Sequence, residues 1–496
     1  MLNKVVFEDE ITIWWDKEWD TAEEANYRIF CDKVMVGETK KTYFSMKGLQ
    51  SETAYEICVE QIGSVKKTVD KILVTTGKTK RRIDVTKSPY NAVGDGKTLN
   101  TQALQRAFDE CKEDECVYIP EGVFLSGALN MHSDMELYLG KGAVLQGTER
   151  VEDYLPKRLS RFEGIEMMCY SSLFNMGELD HTAGYNCKNV IIRGGGIISG
   201  GGQVLCDKII ETERELLKDF LAENAEYVKS CENDKTIPGR ARPRLVNMSN
   251  CQNIVLANVT FQYGPAWNVH FIYSENILTY GCKIISQGVW NGDGWNPDSS
   301  ENCTIFDTEF YTHDDSIAIK SGKNPQGNII NRPTRKVRIF DCHGRNGISI
   351  GSEMSGGVED VYIWDCNFTV AYGGFSIKIT NKRGGYVRNV KVKDSAFTNV
   401  RILSVPWNND GESAPTPPIV ENIELKNIEL SCVRTIAVTG QRIPLPALTL
   451  VGIDDEEYYL RNISIDGLRI RKHDLSETQQ FVIKNVKGIT VKNFEA

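Results

Sequence analysis

The feature that most constrains this chain is a strand–turn unit that recurs from about residue 130 to the C-terminus. CKNVIIRGGGIISG, CQNIVLANVTF, SENILTYGCKI, SENCTIFDTEF, VEDVYIWDCNF, VRNVKVKDSAF, VENIELKNIEL and LRNISIDGL each combine an Asn or Asp turn with a short run of alternating β-branched or aromatic residues. Asn253 and Asn276 are 23 residues apart, and Asn276 and Asn302 are 26 apart. A repeat of that length with strand–turn–strand content specifies a solenoid. One coil cannot bury its apolar face alone, so each must stack on its neighbours. Parallel stacking, with rungs about 4.8 Å apart, gives an all-β fold, a right-handed parallel β-helix.

Two segments break the pattern. TLNTQALQRAFDECKE has apolar residues at helical spacing, with Thr98 or Asn100 as N-cap. A helix over 98–112 would cover the open end of the solenoid, where unpaired strand edges invite association. The acidic stretch 206–230 is helical in pattern and reads as an insertion walling one side of a groove. Residues 1–80 are a separate region. Their short alternating runs, ITIWW, NYRIFC, TYFSMKG and AYEICVEQI, are separated by turn-forming and charged residues, the pattern of a small antiparallel sandwich. The region resembles a fibronectin type III domain, most clearly at GLQSETAYEICV. The β-helix is expected over 81–496.

A formal net charge of -9 argues against a general nucleic-acid binder, which must neutralise phosphates. It leaves room for an anionic sugar, because a site can be locally basic on an acidic protein. No apolar run is long enough to span a membrane, and the N-terminus does not read as a signal peptide. The 14 cysteines form no CxxC pairs and read as free thiols of a reducing compartment, so a cytoplasmic location is expected. No His/Cys cluster has metal-ligand spacing. Neither a metal nor an organic cofactor is expected.

The chemistry concentrates in VWNGDGWNPDSSENCTIFDTEFYTHDDSIAIKSGKN, which carries Asp293, Asp298, Asp314 and Asp315. Asp293 and Asp314 are 21 residues apart, close to one coil, so Asp293 and the Asp314–Asp315 pair should converge on one face. Converging carboxylates raise the pKa of at least one of them. A protonated acid beside ionised neighbours is what glycoside hydrolysis requires.

These segments resemble glycoside hydrolase family 28, the polygalacturonase family, whose fold is the pectin-lyase-like β-helix. NGDG (291–294) is similar to the family's N-T-D-G, with Gly292 in place of Thr, and HDDSIAIKSG (313–322) matches its D-D motif. GPAWNVH (264–270) and GISIGSEMSGGVEDV (347–361) resemble two further family segments, and RFEGIEMMCYSSLF resembles the exo-acting bacterial members. The resemblance implies Asp314 as general acid, Asp293 and Asp315 as the pair that holds and activates water, and Lys378 as a contact to a substrate carboxylate. Arg383, His270 and Trp290 are further substrate-contact candidates. The implied substrate is a pectic oligosaccharide, cleaved with inversion at α-linked galacturonosyl bonds.

Two positions depart from the family. Asn346 stands where a His is expected, and Ser376 replaces the Arg of an R-I-K motif. A guanidinium grips a carboxylate bidentately and a serine cannot, so one subsite is expected to take a neutral sugar such as rhamnose. His343 is the nearest replacement for the missing His. The rival activities are a rhamnogalacturonan-type hydrolase of the same family and a calcium-dependent β-helix pectate lyase. Arg242, Arg244, Trp267 and Tyr386 are each as compatible with packing as with sugar contact.

Overall fold

The computed structural model describes residues 1–20, 25–62, 67–370, 374–436, 439–472, 475 and 480–495. The chain divides into two compact units, Met1–Arg82 with Lys112–Cys116, and Ile83–Cys111 with Val117–Ala496.

In the first unit, strands Asn3–Val6, Glu10–Trp14 and Tyr43–Lys47 form one antiparallel sheet. Strands Val34–Thr39, Asn26–Cys31, Ala54–Ile62 and Lys67–Thr75 form a second. Ile11 and Ile13 of one sheet and Ile29, Ile57 and Val59 of the other share a single core. Alternating apolar residues produce this sandwich because one face of each strand must leave water.

The second unit is the β-helix. One long face pairs Cys187–Gly194, Cys251–Ala257, Glu275–Tyr280, Glu301–Tyr311, Thr334–Gly344 and their successors in parallel. An eleven-stranded sheet forms another face, running from Leu129–Met131 to Phe481–Lys484. The register aligns Val190, Ile254, Ile277, Cys303, Val337, Val361, Val390, Ile423 and Ile463 in one buried column. Each Val or Ile side chain in the column contributes about 1.5–3 kcal/mol by leaving water. Tyr280, Phe306, Phe340 and Trp364 stack on successive coils, with ring centroids 5.2, 4.7 and 4.4 Å apart.

The residue before each member of the Val190–Ile463 column explains the recurring Asn. Asn189, Asn253, Asn276 and Asn302 have φ of 57°, 59°, 56° and 53°, a left-handed conformation that Asn tolerates better than most residues. Their side chains also bond to one another: Asn253 donates to Asn189 at 3.0 Å, Asn276 to Asn253 at 3.0 Å, and Asn302 to Asn276 at 2.6 Å. Lys336 and Asp360 take the next two turns, and the Asn ladder resumes through Asn389, Asn422 and Asn462.

The capping helix spans Thr101–Asp109 and buries Leu104, Ala107 and Phe108 in the solenoid core. Asn100 occupies the N-cap position, but its side chain is committed to the Val93 backbone and not to the helix. Gln105 closes the edge of Leu129–Met131. Its amide accepts from the Asn130 N–H at 2.8 Å and donates to the Asn130 carbonyl at 3.0 Å, replacing the neighbouring strand that is missing there. The insertion forms helices Gly202–Leu216, Lys218–Glu223, Ala225–Ser230 and Thr236–Gly239. All 14 cysteines are free thiols. Among the described residues no helix is long and apolar enough to cross a membrane.

Candidate active site

The site lies on the eleven-stranded sheet. Inward residues Trp295, Ile317, Ile348, Phe375 and Val400 are in register and buried. Side chains alternate along a strand, so the residues between them face out. In one outward column Ala318, Ser349, Ser376 and Arg401 are aligned. In the next, Asp298 is aligned with Lys320.

Asp293 precedes strand Trp295–Asp298, and Asp314 and Asp315 precede the strand stacked on it, Ile317–Ile319. The two turns are bonded directly: the Gly294 N–H donates to the Asp315 carbonyl at 3.0 Å, and the Asp314 N–H to the Gly292 carbonyl at 3.3 Å. Gly294 is required at this crossing, because a Cβ there would sit 2.4 Å from the Ser316 carbonyl oxygen. The three aspartates line one cleft of about 490 Å³, with Trp267, Trp290, Lys320, Asn346, Ser349, Glu353, Ser376, Lys378, Arg401 and Trp407 around them.

Each carboxylate has a distinct setting. Asp315 is gripped at both oxygens, by the Ser349 hydroxyl at 2.8 Å and the Lys378 ammonium at 2.7 Å. Asp293 is nearly buried, with Lys320 Nζ 3.5 Å from its Oδ2. Lys320 also approaches Glu353 at 3.3 Å and packs 4.5 Å from the Trp267 ring centroid. Asp314 opens to solvent in the cleft, and its Oδ1 accepts the Asp315 N–H at 2.8 Å.

Burial, followed by repulsion from Asp314 and Asp315, holds the Asp293 carboxyl well above the usual carboxylate range, against the pull of Lys320. The crowded cleft floor, followed by the charge of Asp315, raises Asp314 too, against Lys378. The two carboxyls interact, so their protons belong to the pair. Asp314 is the member that can reach a ligand, and the cation beside Asp293 favours leaving the negative charge there. Burial would lower Lys320 and raise Glu353. Glu353, Asp293 and Asp315 outweigh it at Lys320, and Lys320, Arg383 and Lys323 hold Glu353 at about 2.

Asn346 lines the cleft and donates to two backbone carbonyls, Thr312 at 2.9 Å and Asp314 at 2.9 Å. It clamps the turn that presents Asp314. Trp290 is half-buried at the cleft, with the Arg242 guanidinium 4.1 Å from its ring centroid. Arg242 also bonds the Trp290 carbonyl at 3.0 Å and Asn291 at 2.7 Å, which fixes the turn leading to Asp293. Arg244 is spent on Ser160 and the Arg161 and Arg242 carbonyls.

Two expected substrate contacts lie elsewhere. His270 is fully buried, 3.3 Å from Asp298, and burial foremost holds its pKa at about 4. Asp298 is in turn bonded by Arg161 at 2.8 Å. His270 belongs to this buried network because Asp298, two residues beyond its register partner Asn296 on the next coil, reaches its Nε2. Arg383 is also fully buried and donates to Asn324 and, at 2.6 Å, to the Asn408 carbonyl. It anchors the segment carrying Asn408 and lies behind the cleft wall. His343 is half-exposed beside Glu309 and is absent from the cleft lining, so it does not replace the missing His.

Sequence reasoning foresaw the helical insertion as a wall and missed Lys320, Glu353, Arg401 and the other segments of the wall. Three segments meet at Arg240, which donates to Glu163 at 2.8 Å and Asp410 at 2.8 Å and to the Tyr227 hydroxyl at 3.0 Å. They are the hairpin Arg158–Phe162/Ile165–Cys169, the helical insertion, and the loop carrying Trp407 and Asp410. Glu163, Glu232, Thr236, Trp407 and Asp410 line the cleft from them. Lys320 and Glu353 lie in the HDDSIAIKSG and GSE stretches, where strand alternation marks Lys320 as outward. The Arg240 node joins residues up to 170 positions apart and leaves no local signal.

Comparison with known proteins agrees with this geometry. Residues 115–491 match the family described as Glycosyl hydrolases family 28. An exo-poly-alpha-D-galacturonosidase of Dickeya chrysanthemi is 26% identical, over 95% of this chain and 87% of its own length. A probable polygalacturonase of Vitis vinifera is 28% identical, over 75% of this chain and 73% of its own. The family 28 exopolygalacturonase structure of Yersinia enterocolitica superposes with a TM-score of 0.76 at 21% identity, covering 100% of this chain and 98% of that one. An exopolygalacturonase structure from Thermotoga maritima gives 0.65 at 26% identity, covering 83% and 92%. The family match, spanning most of the chain, and the three aspartates gathered on stacked coils lead to one assignment: this chain belongs to glycosyl hydrolases family 28.

Proposed function

We propose that this protein is a pectin-degrading glycoside hydrolase that cleaves α-linked galacturonosyl bonds of pectic oligosaccharides from a chain end, with inversion. The observation that carries the reading is the aspartate triad on adjacent coils, crowded enough to retain a proton and flanked by Lys320 and Lys378. Asp314, open to the cleft, donates its proton to the leaving oxygen. Asp293 and Asp315, each beside a lysine, hold the attacking water and take its proton on the opposite face of the sugar. The segments tied at Arg240 wall the cleft, which supports action at a terminus. The galacturonosidase and polygalacturonases among the relatives support the substrate class.

The test is product analysis on oligogalacturonides, with Asp314→Asn as control. The variant should lose on the order of 10²–10⁴-fold in kcat while retaining its fold and its ligand. Undiminished turnover by Asp314→Asn would eliminate the mechanism. Nuclear magnetic resonance of the fresh product should show the inverted anomer. Ser376 favours a second reading, hydrolysis of rhamnogalacturonan, and a panel of both oligosaccharides separates the two. Lyase products would absorb in the ultraviolet, and their formation would respond to a chelator.

A further inference from the structure

Three Lys or Arg side chains line the cleft, and two are neutralised by protein carboxylates. Lys378 is paired with Asp315 at 2.7 Å, and Lys320 lies between Asp293 at 3.5 Å and Glu353 at 3.3 Å. Arg401 is different. Among the described residues no carboxylate lies within ion-pair distance of it. Its guanidinium makes one side-chain hydrogen bond, from Nη2 to the Ser376 hydroxyl at 3.1 Å. Its Nε is enclosed and has no hydrogen-bond partner. A guanidinium carries five N–H donors, and a half-buried cation left unpaired is costly. Arg401 is therefore incomplete without an anion.

Its position says which anion. Ser376 and Arg401 are directly in register on neighbouring coils, and Ser349, which holds Asp315, is one coil before Ser376. The small Ser376 side chain leaves space above its rung, and the Arg401 guanidinium reaches back into it. Two rungs, about 10 Å, separate Arg401 from Ser349, so a sugar beside the scissile bond falls within its reach. A planar fork of donors suits a carboxylate.

We propose that Arg401 is a substrate-binding, specificity-determining residue that grips the carboxylate of a uronic acid. It moves the anion contact expected at position 376 one coil along, so the subsite that Ser376 alone would assign to a neutral sugar selects an acidic one. This rests on the galacturonide reading above and deepens it.

The test uses the full chain carrying Asp314→Asn, so that binding is read without turnover. Calorimetry compares trigalacturonate with its carboxyl-reduced, neutral counterpart. The Asp314→Asn protein should prefer the acidic sugar by on the order of 10- to 100-fold. Adding Arg401→Gln, or Arg401→Met to retain packing of the stem, should remove most of that preference and leave affinity for the neutral sugar unchanged. Arg401→Lys should retain part of it, because a point charge lacks the fork. Adding Ser376→Arg to Arg401→Gln should restore it. The proposal is overturned if the parent shows no preference, or if either neutralised variant keeps it. Failure of the galacturonide reading shows separately, as absence of trigalacturonate turnover by the unsubstituted chain.

Discussion

Lys320→Met tests the electrostatic design of the site. Lys320 is 4% exposed and its ammonium faces Asp293 at 3.5 Å and Glu353 at 3.3 Å. At an effective dielectric constant of about 20, a unit pair 3.5 Å apart is worth about 5 kcal/mol. Losing that pull would raise the Asp293 pKa further, on top of the rise that burial already imposes. That favours the protonated form of Asp293, which cannot accept a proton from water. The acid limb of the kcat/KM profile should move to higher pH, and Lys320→Arg, which keeps the charge, should leave it near the wild-type position. Stability should change with a distinct sign. In the wild type Glu353 is held at about 2, so its pairing stabilises the fold above about pH 4.3, and that contribution is lost as pH falls toward 2. In Lys320→Met Glu353 keeps only the pull of Arg383 and Lys323, so the penalty should be about 3–5 kcal/mol near neutrality and shrink in acid, where both carboxyls are protonated. Urea unfolding at both pH values, with trigalacturonate kinetics across pH, measures these effects. A folded variant whose acid limb has not moved would refute the assignment of Lys320 as the cation that keeps Asp293 charged.

Other perturbations probe separate parts. Asn346→Ala removes both bonds to the Asp314 turn; it should cost about 1–3 kcal/mol in urea unfolding and lower kcat more than it raises KM. Arg240→Met strips the cation from Glu163 and Asp410; a loss of about 3–5 kcal/mol and a shift from terminal toward internal cleavage should appear in unfolding curves and product profiles. His270→Gln should leave KM for oligogalacturonides unchanged, because the ring lies behind the cleft; a large rise would return His270 to the substrate. Asn276→Ala breaks two links of the ladder and should lower stability by about 1–2 kcal/mol without altering kinetics.

Period and alternation made much of this molecule legible. The Asn253, Asn276 and Asn302 spacing marked the coils because Asn is suited to the left-handed turn and its amide bonds the Asn of the next coil. The 21-residue interval from Asp293 to Asp314 placed them on stacked turns because it is close to the length of one coil. What escaped was the product of long-range folding. Nothing local distinguishes Arg383, in a turn-rich KRGGY stretch, from a surface arginine; the fold buries it behind Asn408. His270 reads as a ligand contact, but its ring is fully buried and bonded to Asp298 of the next coil. Arg401 carries no local signal either: its neighbourhood to Ser376 is set by coil stacking, 25 residues away on the adjacent rung.

The aligned Ser349, Ser376 and Arg401 column acts as a ruler with divisions about 4.8 Å long. Exchanging side chains between neighbouring divisions slides a recognition group along the polymer axis in fixed increments and leaves the backbone as it was. Substrate preference in such a scaffold can thus be retuned by translation of a charge, where a globular pocket would have to be reshaped.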